Sequence, residues 1–137
     1  MTYEIMDHPA DAKFRVVAET KQDAFKEVVD AFADVVGGEA GKQVHSIKVE
    51  SEGLEPLLFD FLDELIFLQD TENVVVSHAK NLSLEKLKNG WRLEADIKVN
   101  KITPEVYKMD VKGPTYSEMQ VDYKEGEGWV LQAVIDI

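Results

Sequence analysis

The sequence predicts an α+β fold, two main helices packed on a largely antiparallel sheet. Two apolar runs at helical spacing occupy the first half of the chain, and two strictly alternating runs close the second half. Glycine-containing turns precede both alternating runs and fold each back on the segment before it.

The first strand is read over residues 13–19, where Phe14, Val16 and Ala18 share one face and Lys13, Arg15 and Glu19 the other. Thr20 offers an N-cap hydroxyl and Asp23 follows at capping-box spacing. Behind them Ala24, Phe25, Val28, Val29, Phe32, Val35 and Val36 make a helical face, stopped by Gly37-Gly38. Val44, Ile47 and Val49 mark a strand ended by Ser51-Glu52-Gly53. The strongest helix follows: Leu54, Leu57, Leu58, Phe61, Leu62, Leu65, Ile66 and Leu68 form a wide apolar face. Pro56 falls in its first turn, where a missing N–H has no consequence. Val74-Val75-Val76 begins another strand, and Leu82, Leu84 and Leu87 lead to an Asn89-Gly90 hairpin. Trp91, Leu93, Ala95, Ile97 and Val99 then alternate with Arg92, Glu94, Asp96 and Lys98. Met119, Val121 and Tyr123 run into a Gly126-Glu127-Gly128 turn, and Trp129, Leu131, Ala133, Ile135 and Ile137 form the last strand.

With 137 residues and no linker, repeat or low-complexity tract, residues 1–137 read as a single domain. Hydrophobic residues make up 45%, enough for a core. The formal charge is −12, which opposes strong direct nucleic-acid binding but attracts cations or a basic protein. The absence of cysteine removes disulfides, thiolate zinc, iron–sulfur clusters and a Cys nucleophile. No apolar stretch approaches the ~20 residues a bilayer span needs, and residues 1–7 do not read as a secretory signal, so a cytoplasmic protein without membrane association is expected.

Candidate chemistry is sparse. There is no HExxH, GxSxG or P-loop around His8, His45 and His78. His45 reads as a polar-face strand residue, and Ser77-His78 as a poor nucleophile–base pair, since strand neighbours point to opposite faces. Asp7-His8-Pro9-Ala10-Asp11 concentrates two carboxylates and an imidazole just before a strand, and Val134-Ile135-Asp136-Ile137 closes an apolar strand with a carboxylate. Each is equally explained by a turn or a solvated strand end, but hard oxygens from such segments suit Ca²⁺ or Mg²⁺. Asp60, Asp63 and Glu64 read as the outer side of a core helix, and Lys112, beside Gly113-Pro114, as a lone cation.

Together, His8-Pro9-Ala10-Asp11, the helix beginning Leu54-Glu55-Pro56-Leu57-Leu58, Val111-Lys112-Gly113-Pro114-Thr115-Tyr116 and Val134-Ile135-Asp136-Ile137 resemble, in order and spacing, the archease family over nearly the whole chain. The resemblance implies a protein cofactor, not an enzyme, that activates the GTP-dependent tRNA-splicing RNA ligase. That ligase joins 2′,3′-cyclic phosphate or 3′-phosphate ends to 5′-hydroxyl ends, and the cofactor promotes its guanylylation and multiple turnover. It further implies a divalent metal, calcium, held by Asp11, Asp136 and the terminal carboxylate of Ile137, and a functional role for Lys112. Many members carry a histidine after the Thr-Tyr pair, where this chain has Ser117. Two other readings stand beside it: a stand-alone metal-dependent hydrolase with His8 as general base, and a chaperone-like interaction module.

If the last two strands form a regular hairpin with Tyr123 opposite Trp129, Tyr116 faces Asp136, and Lys112 lies roughly 13 Å beyond unless the Gly113-Pro114 kink folds it back. Asp11 must reach the same edge, bringing the two carboxylates within about 5 Å to share an ion.

Overall fold

A computed structural model describes residues 2–6, 11–37, 41–102 and 110–137. The elements run β1 (Thr2–Met6), β2 (Asp11–Ala18), α1 (Lys21–Val36), β3 (Gln43–Ser51), α2 (Leu54–Glu72), β4 (Val74–Leu87), β5 (Gly90–Lys101), β6 (Gly113–Lys124) and β7 (Gly128–Asp136). All strand pairings are antiparallel, and the strands form two sheets, ordered β1-β2-β7-β6 and β3-β5-β4.

The helices tie the sheets together. α1 leaves β2 of the first sheet and packs chiefly on β4 of the second, whereas α2 leaves β3 of the second and packs chiefly on β6 of the first. Their apolar faces meet at Phe25 and Phe61, whose ring centroids lie 6.3 Å apart. Phe14, Phe32, Leu65, Leu93, Ile97, Leu131 and Ile135 fill the rest of one continuous core. Thr20 caps α1 by accepting from the Asp23 amide at 3.1 Å, and Gly37 ends it in the left-handed conformation, φ 90°. Gln69, fully buried near the end of α2, accepts the Val76 amide at 2.9 Å and so ties the helix to the start of β4.

Four details depart from the sequence reading. β1 is an additional edge strand, its exposed Tyr3 hydroxyl donating to Asp34 on α1 at 3.1 Å. Val74–76 and Leu82–Leu87 belong to one long strand, irregular between Val76 and His78 and between Lys80 and Ser83. The first hairpin turns on residues 88 and 89, with Leu87 facing Gly90, one position earlier than the Asn89-Gly90 signal predicts. Gly90 is needed elsewhere: a Cβ there would collide with the Ser51 carbonyl oxygen at the end of β3. His45 shares its strand face with Ile47 and Val49 and is half-buried, so it stands on the core side of β3 and not on the polar face.

Candidate functional site

β2 enters the first sheet at Asp11 and β7 leaves it at Asp136, and antiparallel pairing makes these two residues direct cross-strand partners. Directly opposed residues present their side chains on the same face. Here that face is the one opposite the core, because Ala12 pairs with Ile135 and Phe14 with Ala133. The Asp136 carboxyl is held above the ordinary carboxylate range, first by its hydrogen bond to the Asp11 carboxyl, then by desolvation and by the Asp11 charge, with Lys112 pulling the other way. Two carboxyls held this close repel when both are ionised, and a cation between them would relieve that repulsion.

Lys112 reaches this pair by a route the regular hairpin does not offer. Tyr123 does face Trp129, but the β6–β7 register shifts between Thr115 and Gln120, and Gly113 faces Asp136 in place of Tyr116. Three extra residues of β6 are looped out, which draws Lys112 back by about 10 Å along the strand. The Lys112 amide donates to the Asp136 carbonyl at 2.8 Å. Glu118 takes a left-handed conformation, φ 58°, which alternation arguments have no means of locating. Its carbonyl accepts Gln132 Nε2 at 2.7 Å and its carboxylate pairs with Lys13 at 3.0 Å, so the bulge is pinned to both β7 and β2. Ser117, at the position where relatives have histidine, sits in this bulge, its amide donating to Thr115 Oγ1 at 3.1 Å. Tyr116 is pushed out to stack on Phe59 of α2, centroids 4.3 Å apart and planes 6° from parallel.

The other predicted positions divide. Ile137 follows Asp136 directly and is 39% exposed. His8, with Asp7, Pro9 and Ala10, lies outside the described residues. Among the described residues, no third His, Cys, Asp or Glu side chain joins Asp11 and Asp136. The pair nonetheless fits a hard cation: two directly opposed carboxylates at the end of the sheet, Asp136 exposed, leave carbonyls and water to complete the oxygen shell Ca²⁺ prefers. Ser77 and His78 are closer than strand geometry predicts, because the irregularity after Val76 lets Ser77 Oγ lie 2.9 Å from His78 Nδ1.

The sequence pattern of the Archease protein family (MTH1598/TM1083) matches residues 3–137. The chain is 34% identical over 140 residues to the protein archease of Pyrococcus abyssi and, at the same identity and length, to that of Thermococcus kodakarensis, with 98% of both chains covered in each case. Its fold is similar to the solution structure of Methanobacterium thermoautotrophicum protein 1598, at a TM-score of 0.82 and 25% identity over 98% of each chain. It also matches, in fold, the crystal structure of a Thermotoga maritima archease described as a possible chaperone (TM-score 0.63, 14% identity, 96% of this chain and 94% of that one).

Proposed function

Because this chain belongs to the archease family, we propose that it activates a partner enzyme, the GTP-dependent tRNA-splicing RNA ligase, and does no catalysis of its own. The observation that carries the reading is the meeting of Asp11, Asp136 and Lys112 at one end of the first sheet. Guanylylation moves a nucleotidyl group, and a divalent ion supplies charge neutralisation and alignment of the attacking and leaving oxygens. Asp11 and Asp136 would hold such an ion, with Ile137 adjacent. The Lys112 amide is bonded to Asp136 and its charge acts on the Asp136 carboxyl, so its ammonium would be near enough to the pair to meet a phosphate or a partner carboxylate there.

The chain's own contribution is positional. β2 and β7 fix both carboxylates on rigid neighbouring strands, and the pinned bulge sets Lys112 beside them. A net charge of −12 suits docking on a basic, RNA-handling enzyme better than holding RNA directly. Single-turnover guanylylation of the ligase, with and without this protein at matched metal and GTP, tests the reading. A faster step and repeated ligation are expected; equal rates would overturn it. Turnover of phosphoesters by this chain alone would favour the hydrolase reading instead.

A further inference from the structure

At the other end of the sheets, about 23 Å along β7 from Asp136, a second constellation has no part in the site above. Each hairpin carries a tryptophan as the second residue of its returning strand, Trp91 on β5 and Trp129 on β7, and Lys21 at the start of α1 lies against both. Lys21 Nζ lies 5.3 Å from the Trp91 ring centroid and 4.6 Å from that of Trp129, so one ammonium bridges the two sheets. Lys86, the cross-strand partner of Trp91, places its Nζ 5.0 Å from the same ring. An open pocket of about 390 Å³ is lined by Thr20, Lys21, Gln22, Leu84, Lys86 and Trp91. That volume falls in the roughly 300–1,000 Å³ range of small-ligand sites. Gln22 accepts the Leu84 amide at 3.4 Å, which links the start of α1 to β4 at the pocket wall.

Lys21 and Lys86 take part in no ion pair among the described residues, unlike Lys13, Arg15 and Arg92, each of which has a carboxylate within 4 Å. Two ammoniums with no ion pair among the described residues lie within 5.3 Å of the centroid of one half-buried indole, in a chain of charge −12. Each ammonium gains only a weak attraction from the ring face and retains its capacity for an anion. A phosphate drawn between them would lift both from the ring and uncover a flat apolar surface beside it. An aromatic base stacks on such a surface without regard to its sequence.

We infer that this pocket binds a nucleoside phosphate, the phosphate between Lys21 and Lys86 and the base against Trp91. The inference is independent of the ligase reading and of the ion at Asp11 and Asp136. The overall negative charge sets the scale: a single nucleotide or a short strand end is accommodated, whereas a long polyanion is repelled.

The test is titration of the full chain at low salt by calorimetry and tryptophan fluorescence. Adenosine monophosphate, inorganic phosphate and a five-nucleotide single-stranded oligoadenylate serve as probes. Saturable binding of the nucleotide is expected, with inorganic phosphate about tenfold weaker because it lacks the stacked base. The exposed-side variant Lys86→Ala and the double variant Lys21→Ala/Lys86→Ala, at unchanged melting temperature, should lose both. Trp91→Leu should lose the nucleotide's advantage while keeping the phosphate response. Tighter oligonucleotide than mononucleotide binding identifies a strand end as the source, and the reverse a free nucleotide; both support the site. Absence of saturable nucleotide and oligonucleotide binding, equal affinity for phosphate and nucleotide, or undiminished binding by the double lysine variant overturns it.

Discussion

The backbone amide of Lys112 donates to the carbonyl of Asp136, at 2.8 Å, although regular pairing of their strands would hold the two residues far apart. The bond exists because β6 carries three more residues than β7 needs between two correctly paired segments. Its consequence is that a cation and two carboxylates share one corner of an acidic protein.

Calcium should raise the melting temperature of the wild-type chain, because a ligand bound only by the folded state stabilises it by about 2.7 kcal/mol at a hundred times its Kd. Asp136→Asn, which removes one of the two opposed carboxylates, should melt no lower than wild type in chelator and should lose the calcium response. Scanning calorimetry with chelator and with calcium reads both effects. A calcium response that survives in Asp136→Asn would remove the ion from this pair.

Lys112→Ala should leave stability within about 0.5 kcal/mol of wild type, since its backbone bond is retained and its side chain is not part of the core. Stimulation of ligase guanylylation should nevertheless be lost. Undiminished stimulation would make the ammonium dispensable.

Deleting residues 116–118 should remove the bulge and leave both flanking halves of β6 in their present register, because the shift between Thr115 and Gln120 amounts to three residues. The variant should fold and keep the calcium response. It should lose about 0.5–1.5 kcal/mol from the Phe59–Tyr116 stack, together with the Lys13–Glu118 pair. Denaturant titration measures the loss, and amide exchange shows whether Lys112 still donates to Asp136.

Gly128→Ala should destabilise by about 1–3 kcal/mol. Gly128 has φ 103°, and a Cβ would lie 2.5 Å from the Ala18 carbonyl oxygen, a backbone atom that cannot move without disturbing β2. Equilibrium unfolding in urea checks it.

Glu27 is almost fully buried on α1, and desolvation, then the neighbouring Asp30 charge, raise its pKa above the ordinary 4.5, with Lys26 acting in the opposite direction. A carboxyl whose folded pKa is raised subtracts from stability above that pKa, and the subtraction fades as pH falls towards the unfolded value. Glu27→Gln should therefore stabilise the protein at pH 7.5 and bring no gain below about pH 4, where Glu27 is protonated in both states. Urea titrations at the two pH values give the comparison; an equal gain at both would assign the effect to packing.

Much of this molecule is written in local pattern. The Thr20 cap, the Gly37 stop, the apolar faces of α1 and α2 and the alternation of β5 and β7 all follow from the spacing of a few side chains, because helix and strand periods are properties of the backbone itself. Asp11 and Asp136 could likewise be picked out as carboxylates at strand ends, and the family resemblance joined them to Lys112. What periodicity could not supply is which strand lies beside which. The split into two sheets depends on helices that leave one sheet to cover the other, and each crossing is decided by burial of whole faces, which no single segment encodes. The bulge at Glu118 has the same origin. A left-handed non-glycine residue carries no sequence signal of its own; it persists because Gln132 and Lys13, distant in the chain, hold it there. The residues of the site were thus legible one by one, while their meeting was decided by cross-strand register, a relation between segments that only the assembled sheet defines.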